Sequence, residues 1–126
     1  MNRYYIVILI IVIAAHFLVG CVARDAHSAK IHIDYRSLDD QGLRGSGDGK
    51  VAVSFEFAVP NTEACLARIR AIDPSIMFMP GSRGRIGATA SECLCVGSTN
   101  QPRYREVLFG LADLEFVTRI EECHWE

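Results

Sequence analysis

The stretch Val51-Ala52-Val53-Ser54-Phe55-Glu56-Phe57-Ala58-Val59 decides the fold. Val51, Val53, Phe55, Phe57 and Val59 alternate with Ala52, Ser54, Glu56 and Ala58 over nine residues. Successive side chains of a strand point to opposite faces, so this pattern predicts a strand with one buried face. Pro60 and Asn61 end it, and Asn61 is a good N-cap for the next element.

Working downstream, Cys65, Leu66, Ile69 and Ile72 recur at helical spacing, with Glu63, Arg68 and Arg70 elsewhere on the wheel. This predicts an amphipathic helix stopped by Asp73-Pro74, because a residue before proline avoids the helical region. Ile76 to Met79 reads as a short apolar strand, and Pro80 to Gly87, with three glycines and two arginines, as a turn region. A strand follows over roughly Glu92 to Val96. Asn100-Gln101-Pro102 opens a second helix whose buried stripe is Tyr104, Val107, Leu108, Leu111 and Leu114, and Phe116 to Cys123 forms the last strand. The order strand, helix, strand, strand, helix, strand is that of the ferredoxin-like split βαβ unit. The expected class is therefore α+β, a βαββαβ sandwich with two helices on one face of an antiparallel sheet.

Upstream, Ile31, Ile33 and Tyr35 alternate with His32 and Asp34 and predict a short extra strand before this unit. Ser37 to Gly49, with four glycines and three aspartates, reads as a flexible loop. The Ala52-Ser54-Glu56-Ala58 side of the sheet carries small residues. Coverage by the Ile31–Tyr35 strand is the expectation for it, and docking of another surface is the alternative.

The N-terminus has a separate logic. After Arg3 the chain runs uncharged from Tyr4 to Ala15 and reaches Leu18-Val19-Gly20-Cys21. A positive n-region, an apolar stretch and small residues before a cut site make an export signal. Leu18-Val19-Gly20-Cys21 resembles the lipobox of bacterial lipoproteins, in which the cysteine is diacylated and the peptide is cut just before it. The resemblance covers residues 1–21 and implies a signal peptide over 1–20, a lipidated tether over 21–29 beginning at Cys21, and a single domain over 30–126. Two or three acyl chains hold a protein stably at a bilayer, where one holds it only marginally. The stretch 4–20 also approaches the length of an uncleaved bilayer span, and either reading puts the domain outside the cytoplasm. In lipoproteins of enteric-type bacteria an Asp after the lipidated Cys favours the inner membrane; here that residue is Val22, so the resemblance implies the outer membrane.

From Cys21 onward there are 106 residues, enough for one domain, with twelve Lys or Arg against fifteen Asp or Glu. That balance is too mild to imply nucleic acid as a partner. With Cys21 assigned to lipid, Cys65, Cys93, Cys95 and Cys123 remain, and an even set in an oxidising compartment reads as a disulfide framework. Cys93 and Cys95 lie two apart on one strand and would be strained as partners for each other. The expected topology favours Cys65 with Cys93 and leaves Cys95 with Cys123, although the strands carrying the last two would not be neighbours. A metal site built from Cys93, Cys95, Cys123 and His124 is the weaker alternative, because structural zinc sites space their paired ligands more widely.

Other chemistry fits poorly. Cys123 and His124 would point to opposite faces of a strand and so make no nucleophile–base pair. Gly45-Ser46-Gly47-Asp48-Gly49-Lys50 precedes a strand, whereas a phosphate cradle needs a helix N-terminus. Asp39, Asp40 and Asp48 lack calcium-loop spacing. Arg83 and Arg85 in their turn, and His27 and His32 near the tether, are expected to be solvated. The reading is a non-catalytic envelope lipoprotein without cofactor, held at the membrane by its lipid and binding a protein partner. An immunity-type inhibitor of a periplasmic toxin is one form of it. An accessory component of an envelope machine and a small periplasmic enzyme are the alternatives.

Overall fold

A computed structural model of the chain describes residues 27–124. The expected signal peptide and the expected lipidation site Cys21 therefore lie outside the described residues, as do Trp125 and Glu126. The strands are β1 (Ile31–His32), β2 (Leu43–Arg44), β3 (Val51–Ala52), β4 (Ser54–Pro60), β5 (Met77–Pro80), β6 (Glu92–Ser98) and β7 (Ile120–Cys123). Two helices, α1 (Glu63–Ile72) and α2 (Tyr104–Asp113), complete an α+β domain. The main sheet has the order β1-β7-β4-β6-β5; β1 joins β7 in parallel and every other neighbour is antiparallel. Among the described residues no helix is long and apolar enough to cross a membrane.

Both helices lie against one face of the sheet, because that is where the periodic apolar residues converge. Phe55, Phe57 and Val59 of β4, Cys95 of β6 and Ile120 of β7 share a core with Ile69 of α1 and Val107, Leu108 and Leu111 of α2. Each large apolar side chain buried there contributes about 1.5–3 kcal/mol relative to exposure. The expected stripe of the second helix is buried from Tyr104 to Leu114. The first helix is capped by Thr62, not Asn61: its side chain accepts from the Cys65 backbone N–H at 3.3 Å.

The long strand expected over Val51–Val59 breaks at Val53. Val51 is 60% exposed because β3 turns away to pair with β2, making a two-stranded ladder. The glycine-rich segment expected to be a flexible loop is this hairpin. Asp39 organises it: one carboxylate oxygen accepts from the backbone N–H groups of Gln41 and Leu43, and the other accepts from Lys50 Nζ at 2.8 Å. Thr99 ties the hairpin to the sheet. Its hydroxyl accepts from the Val53 N–H at 2.9 Å and donates to the Gly42 carbonyl at 2.7 Å. Gly42 has φ +77°, and a Cβ there would lie 1.6 Å from the Thr99 carbonyl oxygen, so only glycine permits this approach.

The N-terminal segment is fastened to the end of α2. Lys30 Nζ donates to the carbonyls of Ala112 (2.9 Å) and Leu114 (3.1 Å), which the helix leaves unpaired at its C-terminus. His27, assigned to the tether by sequence, has its Nε2 2.7 Å from Asp113 Oδ1. The Ile31–Tyr35 segment does not cover the open side of the sheet: only Ile31–His32 is a strand, and it extends the edge beside β7.

Candidate functional site

The four described cysteines are free thiols, so the expected bridges are not part of this structure. Register gives the reason for Cys95 and Cys123. Cys93 and Cys95 stand directly opposite Val59 and Phe57 and point into the helix-covered core, whereas Cys123 stands opposite Ser54 on the other face. With β4 between β6 and β7, the two thiols are separated by two strand spacings, roughly 10 Å, and by the sheet itself, beyond disulfide reach. Cys93 and Cys95 bond only to backbone: their thiols donate to the carbonyls of Leu94 at 3.5 Å and Cys93 at 3.7 Å. Cys65, half-buried in the first turn of α1, and Cys93, buried on β6, are also unbridged. The same division between faces keeps Cys93, Cys95, Cys123 and His124 from converging on a metal ion.

The face opposite the helices carries a group of polar, apolar and thiol side chains beside one cavity. Ser54, Glu56 and Ala58 of β4 alternate there with Leu94 and Val96 of β6, and Met77 and Met79 of β5 stand beside them. The segment Gly81–Ser91, expected to be a simple turn, folds back over part of this face. Its Ile86 and Ala88 pack with Ala58, Leu94 and Val96 in a second small apolar cluster. Gly84 comes down closest. With φ +60°, a Cβ there would lie 2.7 Å from Leu94 Cδ1 and 2.9 Å from Glu56 Oε2.

Between loop and sheet lies a cavity of about 260 Å³, lined by Leu94, Val96 and Met79 on its apolar side and by Glu56, Arg85 and Cys123 on its polar side. Glu56, on the side expected to be covered by the Ile31–Tyr35 strand, is covered instead by the loop and is 6% exposed. Its Oε1 accepts from the Ile86 N–H at 2.6 Å and its Oε2 accepts from the Cys123 thiol at 3.7 Å. Burial pushes the Cys123 thiol up to about 11, and the Glu56 carboxylate adds to this by favouring the protonated form. Cys95 is pushed up to about 12, chiefly by burial. Neither is a thiolate nucleophile at neutral pH.

Cys123 and His124 both line the cavity, because His124 lies past the end of β7 where strand alternation no longer applies. The bond of Cys123 nevertheless goes to Glu56, and His124 sits 4.0 Å from Glu122. Glu122 is held below the usual carboxylate range by a bidentate pair with Arg44 at 2.7 and 3.0 Å. His32 is exposed and lies 3.3 Å from Glu121. Arg83 and Arg85 are exposed in the loop, as expected.

Sequence reasoning missed Glu56, Gly84 and Met79 as a group. The available signal was length: the segment between Pro80 and Glu92 exceeds what a hairpin needs, and a long connection rich in glycine can fold back onto the sheet. Compared with known protein families, curated proteins and solved structures, the chain matches none.

Proposed function

We propose that the chain is a bacterial envelope lipoprotein, acylated at Cys21 and facing the periplasm, whose domain has the ferredoxin-like topology and acts as a non-catalytic binding module. The sheet order β7-β4-β6-β5, with one helix between β4 and β5 and another between β6 and β7, supports the ferredoxin-like assignment. The observation that carries the binding role is the incompletely covered sheet face, where Met77 and Met79 are 59% and 41% exposed beside an apolar cavity. Methionine is polarizable and adaptable, and exposed pairs of it suit a protein-binding surface. The protonated thiols favour binding over nucleophilic chemistry.

Only five residues separate Cys21 from His27, so a lipid on Cys21 would hold the α2 end of the domain within roughly 20 Å of the bilayer. Within this reading an immunity-type role, blocking a toxin delivered to the periplasm, is the specific form proposed. The test is a deletion strain challenged by sister cells and complemented with wild type, with Cys21→Ser or with Met77→Glu/Met79→Glu. Protection restored by wild type and lost with the methionine variant, at equal protein level, is the expected result. Deletion without any gain in sensitivity would remove the immunity role, and a membrane-bound Cys21→Ser protein lacking fatty-acid label in its native form would remove the lipid anchor.

A further inference from the structure

The two buried carboxylates of this domain are treated differently. Asp73, 4% exposed, accepts from Ser75 N–H at 2.9 Å, Ser75 hydroxyl at 2.6 Å and Gln101 Nε2 at 2.9 Å. Glu56, 6% exposed, has one N–H, from Ile86, and one thiol, a weak donor. A carboxylate offers about four acceptor positions and is costly to bury unless they are filled. Among the described residues no cation pairs with Glu56, although Glu63, Glu106, Glu115, Glu121 and Glu122 each have an arginine. Glu121, directly across from Glu56 on β7, spends its charge on Arg119 and His32.

Glu56 lines a cavity whose apolar wall is Leu94, Val96 and Met79 and whose polar wall includes Cys123 and His124. On the same cavity stands Arg85, which makes no hydrogen bond or ion pair with any described residue. A buried carboxyl group short of donors, an apolar wall and the Arg85 guanidinium, whose charge also acts on the Cys123 thiol, thus meet around about 260 Å³, the small end of the range for ligand sites.

We propose that this cavity binds a small zwitterion of the α-amino-acid class, its ammonium on Glu56, its apolar side chain against Leu94, Val96 and Met79, and its carboxylate on Arg85. The ammonium supplies the donors that Oε2 lacks. The carboxylate meets a guanidinium suited to bidentate pairing. Gly84 lets the loop backbone approach Leu94 and Glu56 at the cavity wall. The site depends on neither the lipid anchor nor a protein partner.

The test uses the full chain in detergent micelles, titrated with the proteinogenic amino acids in L and D form, each compared with its N-acetyl derivative and its carboxamide. The readouts are calorimetry and the ligand-dependent rise in Tm. The expected result is saturable binding of one or more apolar amino acids with a Kd below about 1 mM, lost on N-acetylation and at least about tenfold weaker for the carboxamide. Glu56→Gln should abolish this binding, and Arg85→Gln should make acid and carboxamide bind alike. Because Glu56→Gln could disturb the loop, the derivative series on the wild-type chain stands as an independent test. No Tm rise with any amino acid, equal binding of the N-acetyl form, or equal binding of acid and carboxamide by the wild type would each overturn the proposal.

Discussion

Replacing Thr99 by Val tests whether one hydroxyl holds the N-terminal hairpin to the sheet. The side chain is fully buried, and valine keeps its shape. The substitution removes the acceptor for the Val53 N–H and the donor for the Gly42 carbonyl, while the backbone bond from Thr99 N–H to the Val53 carbonyl at 2.9 Å remains. A buried polar group left unpaired costs about 1–3 kcal/mol, and two are created, so a loss of roughly 2–6 kcal/mol is expected. For a domain of this size each kcal/mol lost lowers Tm by roughly 4–8 °C. Urea unfolding followed by circular dichroism measures it, with an unchanged m-value showing that the change is one of stability. Thr99→Ser keeps the hydroxyl and loses only a methyl group, and should cost about 1 kcal/mol. A Thr99→Val protein within about 0.5 kcal/mol of wild type, or a serine variant equally damaged, would refute the reasoning.

Four further outcomes are expected. The purified chain, denatured in the presence of a thiol reagent, should titrate free sulfhydryls at Cys65, Cys93, Cys95 and Cys123, and a non-reducing peptide map showing any bridge among them would contradict the structure. Because folding raises Cys95 from an ordinary value of 9.0 to about 12, the protonated thiol stabilises the fold fully below pH 9. That contribution should disappear as pH rises from about 9 towards 12, and Cys95→Val should flatten the alkaline limb of a urea-midpoint profile. Asp39, held down to about 2 by the Lys50 hydrogen bond, stabilises the fold above its ordinary pKa of 3.8, and this is lost as pH falls towards 2; Asp39→Asn should remove that acid sensitivity in the same assay. Lys30→Met takes an ammonium away from two carbonyls at the end of α2 and should cost about 1 kcal/mol, read by hydrogen exchange as faster opening of the last helical turn.

The helices and the central strand were legible because their information is periodic and local. Tyr104, Val107, Leu108 and Leu111 are spaced for one helix face, and Phe55, Phe57 and Val59 for one strand face, so burying them leaves little choice of element. The hairpin over residues 43–52 was not legible. Its ladder is only two residue pairs long, and what fixes it is Asp39 reaching three donors and Thr99 reaching across from the far end of β6. Contacts of that kind join residues distant in sequence and leave no period to read. The cysteines show the complementary failure. An expected oxidising compartment and an even number argue for bridges, but which face of the sheet each thiol occupies depends on strand register, and register puts Cys123 and Cys95 on opposite sides.

The site itself shows why an alternating strand is an incomplete guide to what is exposed. Alternation divides β4 into Phe55, Phe57 and Val59 on one side and Ser54, Glu56 and Ala58 on the other, and it assigns the second set to water. It carries no information about a loop returning over that side. Once Gly84 brings the Gly81–Ser91 segment down onto Leu94, Glu56 lies beneath it, 6% exposed. An isolated ion placed so would be neutralised or paired within the fold, as Asp73 is satisfied by Ser75 and Gln101. Glutamine at position 56 would fill nearly the same space and could still accept from the Ile86 N–H, so packing and that hydrogen bond alone do not require a carboxylate there. Besides the weak bond from the Cys123 thiol, the ammonium of the proposed ligand is what a carboxylate there would serve. On this argument Glu56→Gln should leave the urea midpoint unchanged or raised, since it removes a buried charge and keeps the bond to the loop, whereas a fall of more than about 1 kcal/mol would mean that the charge serves the fold and not a ligand.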